Sequence, residues 1–116
     1  MGLYFRNATT LPVWVAYGEV WQPGCADQGG WSKKGWYEVS PGLTAKVKSG
    51  WVGGDCWMYY AEDDFGHVWA GPYRTSVPWD SFERCWNVLF SPARVVGFRV
   101  VCIDWDIMDY TINLTI

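Results

Sequence analysis

Met108-Asp109-Tyr110-Thr111-Ile112-Asn113-Leu114-Thr115-Ile116 alternates apolar and polar residues without a break. Successive side chains of a strand point to opposite faces, so this stretch buries Tyr110, Ile112 and Leu114 and wets Asp109, Thr111 and Asn113. The same period recurs upstream, where Leu43, Ala45 and Val47 alternate with Thr44, Lys46 and Lys48. Val13 to Tyr17, Trp36 to Val39 and Val68 to Ala70 read as further strands. Val95 to Trp105 is the longest β-branched stretch, and the apolar run Cys56 to Ala61 reads as a central strand. Leu3 to Arg6 is a short apolar strand, and it and the 108–116 strand are expected to pair or share a sheet.

Turn chemistry separates these segments. Pro41-Gly42 presets one φ and frees the next, and Gly53-Gly54, Asp63-Asp64 and Gly71-Pro72 punctuate the others. The sequence predicts one all-β domain over residues 1–116, an antiparallel β-sandwich of about eight short strands. Gly18 to Gly35, with Pro23 and internal glycines, reads as a long loop, and such loops are usually functional. Ser76 to Pro92 has no clean period, and Asp80 to Arg84 could hold a helical turn.

The 116 residues carry a net charge of -3 and a pI of about 4.9, with no basic run beyond Lys33-Lys34. That argues against a nucleic-acid partner, whose phosphates demand a basic stripe. No apolar run reaches the ~20 residues of a membrane-spanning helix. Met1 to Arg6 lacks the basic and apolar regions of a signal peptide.

Cys25, Cys56, Cys85 and Cys102 fit no zinc spacing. In a small β-rich domain an even cysteine count favours two disulfides and an oxidising, secreted or cell-surface setting. Four buried thiols in a cytoplasmic protein are the alternative. The pairing expected is sequential, Cys25–Cys56 with Cys85–Cys102, closing loops of about thirty and eighteen residues.

A set of motifs spans Phe5 to Thr115: Phe5-Arg6-Asn7, Val13 to Ala16, Gly35-Trp36-Tyr37, Pro41-Gly42, Tyr59-Tyr60-Ala61-Glu62-Asp63, Trp69-Ala70-Gly71, Phe82 with Cys85, Gly97-Phe98-Arg99 and Tyr110 to Leu114. Together they resemble a bacterial family known as a domain of unknown function, number ten thirty-six. The resemblance implies a small bacterial β-domain, frequently exported, and no assigned reaction. The family often carries a Cys directly after the Pro-Gly turn, where this chain has Leu43.

No catalytic site is expected. His67 is the sole histidine, and Ser76, Ser81 and Cys85 sit in no nucleophile motif. Glu62, Asp63, Asp64 and Glu83 supply the carboxylates a glycosidase would need, which makes a small hydrolase the minor alternative. Glu62-Asp63-Asp64 is a calcium candidate, as are Asp104, Asp106 and Asp109, although solvated acidic turns explain both groups. The candidate ligand-binding residues are aromatic: Trp21, Trp31, Trp36, Trp69 and Tyr73, with Trp51 and Trp79 also near loops. The function these predict is a non-catalytic extracellular or cell-surface binding module, with a glycan on loop tryptophans and the contact placed in residues 18–36. A self-associating or protein-binding domain is the alternative. Asn7-Ala8-Thr9 and Asn113-Leu114-Thr115 match the glycosylation sequon, a weakly specific pattern.

Overall fold

The alternation in residues 108–116 becomes a strand, Asp109–Leu114, with Ile112 and Leu114 buried and Asn113 exposed. It lies beside Gly2–Asn7, as the shared-sheet expectation required. The computed structural model describes residues 1–20, 23–27, 29–91 and 94–116. Among them are ten strands: β1 (Gly2–Asn7), β2 (Val13–Val20), β3 (Trp31–Val39), β4 (Thr44–Ser49), β5 (Cys56–Glu62), β6 (Val68–Trp69), β7 (Tyr73–Val77), β8 (Phe82–Cys85), β9 (Arg94–Cys102) and β10 (Asp109–Leu114). One 3-10 turn, Pro23–Cys25, is the only helical element described.

The strands form an all-β sandwich. One sheet has the order β10-β1-β4; the larger runs β7-β9-β5-β2-β3-β8, with β6 on β5. All pairs are antiparallel except β1 with β10. A parallel pair needs a long crossover, and here nearly the whole chain lies between the two strands.

β5 is central, as its unbroken apolar run predicts, because it is buried on both faces. Val15, Tyr17, Trp57, Tyr59 and Ala61 face the small sheet and meet Leu3, Phe5, Val47 and Leu114. Ala16, Met58 and Tyr60 point the other way, into a second cluster with Val77, Phe82, Val96 and Phe98. Trp86 packs edge-on against Phe98 there, ring centres 5.1 Å apart.

Three sequence expectations change. The loop expected over Gly18 to Gly35 is strand at both ends, since β2 runs to Val20 and β3 begins at Trp31, with the 3-10 turn between them. Gly35, the last residue of that expected loop, marks close packing instead: a Cβ there would stand 3.0 Å from the Ala16 Cβ and 2.9 Å from the Phe82 ring. The helical turn expected near Asp80 to Arg84 is largely β8, which adds to the edge of β3 with Phe82 opposite Gly35. Strand count rises to ten because β7 and β8 are too short and polar to show a period.

The cysteines form two disulfides, but not sequentially. Cys56 pairs with Cys102 and Cys25 with Cys85. The register decides this, because Cys56 lies directly opposite Cys102 across β5 and β9. Cys25, in the 3-10 turn, reaches the end of β8.

The large sheet curls until its two ends approach, and Lys33 bridges them. Its ammonium, fully buried, donates to Thr75 Oγ1 at 2.9 Å, Ser76 O at 2.5 Å and Val88 O at 2.7 Å. An ammonium has three donors, and all three are used. Thr75 Oγ1 donates onward to Trp86 O at 2.6 Å, and Phe90 N donates to Ser76 Oγ at 3.2 Å. Lys34, the next residue, faces the other side of the strand and pairs with Glu83 at 3.2 Å.

Candidate functional site

Tyr60 and Glu62 are two residues apart on β5 and so share a face. The Tyr60 hydroxyl donates to Glu62 Oε1 at 2.9 Å. Burial first, then this hydrogen bond, pushes the Tyr60 phenol up to about 12, so it stays a donor at neutral pH. The same Glu62 oxygen accepts from Arg94, the first residue of β9, at 2.7 Å. Glu62 is therefore held from the core side by a tyrosine and from the surface side by a guanidinium.

That guanidinium lies 4.1 Å from the centre of the Trp79 ring and 5.3 Å from that of Trp36. Both are cation–π distances. Trp36 is fixed in turn. Its indole N–H donates to Pro78 O at 3.0 Å, and its ring packs edge-on against Tyr60 and Phe82. Trp14, opposite Glu62 in the β2–β5 register, supplies a further aromatic wall. Together these side chains enclose an open cleft of about 420 Å³, with Asp64, Asp80 and Ser81 at its mouth. Trp79 is 63 % exposed although its neighbours are anchored. Arg94 Nε is buried and finds no acceptor among the described residues.

The cleft can therefore offer a flat aromatic face, a fixed acceptor–donor pair and, at its mouth, the exposed carboxylates of Asp64 and Asp80. It is built from the ends of β5 and β9, the middle of β3, the start of β2 and the segment after β7. Only the fold brings these five places together.

A second groove, of about 650 Å³, runs beside the Cys25–Cys85 disulfide. Its charges are largely satisfied by one another, Lys34 with Glu83 and Lys48 with Glu19 at 3.3 Å. Among the described residues Tyr17 is its one aromatic lining residue. It is the weaker candidate for that reason.

Of the aromatic candidates, Trp36 lines the cleft. Trp31 is half-buried on the far face of the large sheet against Trp86, at 6.4 Å. Trp69 is a core residue whose indole donates to Thr115 O at 3.0 Å. Tyr73 is exposed on the edge strand β7. Trp21 lies outside the described residues. Trp51 is exposed and donates to Trp105 O at 3.1 Å. Trp14 and Arg94 carry no binding signal in the sequence, and Trp79 carries only its place near a loop. Their convergence has no sequence signature, because they come from separate strands and turns.

The acidic run 62–64 is split by its backbone. Glu62 and Asp64 face the cleft, while Asp63 turns inward and knits its own turn. It accepts from Phe65 N at 2.8 Å, His67 N at 3.0 Å and His67 Nδ1 at 2.6 Å. Burial alone would raise the Asp63 carboxyl, but these hydrogen bonds and the imidazole outweigh it and hold it below the usual range. Among the described residues no group of three or more His, Cys, Asp or Glu side chains is arranged to hold a metal ion. That includes Asp104, Asp106 and Asp109, the last of which pairs with the Met1 amine at 3.2 Å. His67 is thereby a turn residue. Asn7 of the first sequon is fully buried, donating to Leu11 O at 2.7 Å and Val39 O at 2.8 Å, whereas Asn113 is exposed. Among the described residues no helix is long and apolar enough to cross a membrane.

Compared with protein-family models, with curated proteins and with solved structures, the chain matches none, so its resemblance to the bacterial domain family rests on the short motifs alone.

Proposed function

We propose that the protein is a non-catalytic binding module of an extracellular or cell-surface setting, and that it takes a glycan in the Trp14–Trp36–Trp79 cleft. One observation carries this reading. Three tryptophans converge on a fixed Glu62–Arg94 pair, and the outermost, Trp79, is left largely exposed. A pyranose has an apolar C–H face that stacks on an indole and a rim of hydroxyls that needs placed donors and acceptors. Two disulfides fit an oxidising compartment, and the resemblance to an often-exported family points the same way.

The chemistry favours binding over hydrolysis. A glycosidase needs two carboxylates placed to act on one bond. Here Glu62 Oε1 is committed to Arg94 and Tyr60, and the other two carboxylates of the cleft, Asp64 and Asp80, sit exposed at its mouth. The test is a tryptophan-fluorescence titration with neutral oligosaccharides, repeated on Trp79→Ala. Saturable binding that the variant loses supports the reading. No response to any glycan refutes it.

A second reading is assembly with another copy or another protein. It is favoured by an exposed apolar surface at one end of the sandwich, where Trp51 and Trp105 touch and Ile107 and Met108 follow. An oligomer in size-exclusion chromatography with light scattering, disrupted by Trp105→Ser, would favour it over the first.

A further inference from the structure

We propose that the cleft selects sugars carrying a free amino group, with Asp64 and Asp80 as the selecting residues. This rests on the reading of the cleft as a glycan site and adds the charge of the ligand to it. Three carboxylates line the cleft, those of Glu62, Asp64 and Asp80. Against them stands, among the described residues, a single cation, Arg94, which Glu62 already neutralises at 2.7 Å. The balance open to a ligand is two negative charges, both on exposed side chains at the mouth. Among the described residues no other basic side chain lines the cleft.

The aromatic walls favour the same sign. An indole face carries negative quadrupole density and attracts cations. The chain uses this itself, since the Arg94 guanidinium rests on Trp79 and approaches Trp36. Arg94 covers one part of this aromatic surface and holds Trp79 in place, and the exposed remainder of that ring is open to a sugar ring. A sugar stacked there would set an ammonium substituent within reach of Asp64 or Asp80. A uronic acid in the same pose would meet two uncompensated carboxylates. An anionic glycan is thus disfavoured by like charge, and a neutral one is bound through stacking and hydroxyl contacts alone.

The experiment compares three probes of matched length on the intact, disulfide-bonded protein: glucosamine oligomers, N-acetylglucosamine oligomers and galacturonate oligomers. Titration is made at about pH 5.5, above the ordinary aspartate range. The expected order is glucosamine tightest, by about five- to tenfold over the acetylated oligomer, with galacturonate weakest; two exposed charge contacts supply a factor of that size. In the double variant Asp64→Asn/Asp80→Asn the acetylated oligomer keeps its affinity and the preference for glucosamine disappears. High salt should also erase the preference, since about 1 M ionic strength shortens the screening length to about 3 Å. If the acetylated and free-amine oligomers bind equally, the charge selection is overturned while the glycan site stands. Tightest binding of galacturonate overturns it too. If none of the three binds, the proposal falls together with the site reading. A preference for glucosamine that survives in the double variant assigns the selection elsewhere and overturns the role of Asp64 and Asp80.

Discussion

Replacing Lys33 by Met should destabilise the protein at neutral pH, and should also abolish a rise in stability that the wild type shows in mild alkali. The ammonium bridges the two ends of the curled sheet through three neutral acceptors and, among the described residues, no carboxylate. Methionine fills the same volume but leaves Ser76 O and Val88 O without that donor. Each buried carbonyl so stranded costs about 1–3 kcal/mol. Relief from burying a charge returns about half of the total, so the net loss is about 2 kcal/mol. For a chain of this size that lowers Tm by about 8 °C. The pH dependence isolates the charge. Burial lowers Lys33 from an ordinary 10.5 to about 8. Between those values the folded state binds fewer protons than the unfolded state, so stability rises with pH across this window. The full shift gives about 1.4 kcal/mol by pH 9, and solvent screening reduces that to about 1 kcal/mol. Tyr17 and Tyr60 do not interfere. Burial raises both phenols, so they remove stability only above their unfolded value of 10. With all four cysteines bridged, no free thiol is present to exchange disulfides in alkali. Urea denaturation followed by tryptophan fluorescence from pH 7 to pH 9.5 measures both effects. A Lys33→Met variant at least as stable as wild type at pH 7, or a wild-type profile as flat as that of the variant, would refute the reasoning.

Four further outcomes follow from the same geometry. A non-reducing digest should yield the linked pairs Cys25–Cys85 and Cys56–Cys102, and any Cys25–Cys56 peptide would contradict the strand register. These bridges close loops of 60 and 46 residues, each worth about 4 kcal/mol in the chain-entropy model, so Cys56→Ala/Cys102→Ala should shift the urea midpoint sharply. Trp79→Ala should leave stability within about 0.5 kcal/mol, because its ring is largely exposed, while abolishing the glycan-dependent fluorescence change. Arg94→Met removes a half-buried ion pair and the cation that orders Trp79, so calorimetry should report a loss of about 1–2 kcal/mol, and equal stability would show the pair to be ornamental.

The sequence by itself determined the class of fold. Strict alternation in residues 108–116 and 43–48 defines half-buried strands, and the unbroken run 56–61 defines one covered on both faces. Composition and cysteine parity likewise pointed to an oxidised all-β domain, and both disulfides exist. Which cysteines join was not legible, because pairing depends on register: Cys56 meets Cys102 only once β5 and β9 are neighbours. Only the tertiary structure decided the large sheet's curl, and with it the burial of Lys33. In the sequence Lys33 and Lys34 are an ordinary basic pair; the pleat sends one into the interior and the other to Glu83. The cleft follows the same rule. Trp14, Trp36, Glu62, Trp79 and Arg94 are up to 80 positions apart, 14 to 94, and share no local period. A local pattern reports which face a side chain takes on its own strand. Which strands lie side by side, and so which side chains meet, is fixed by non-local pairing that no short window of sequence contains.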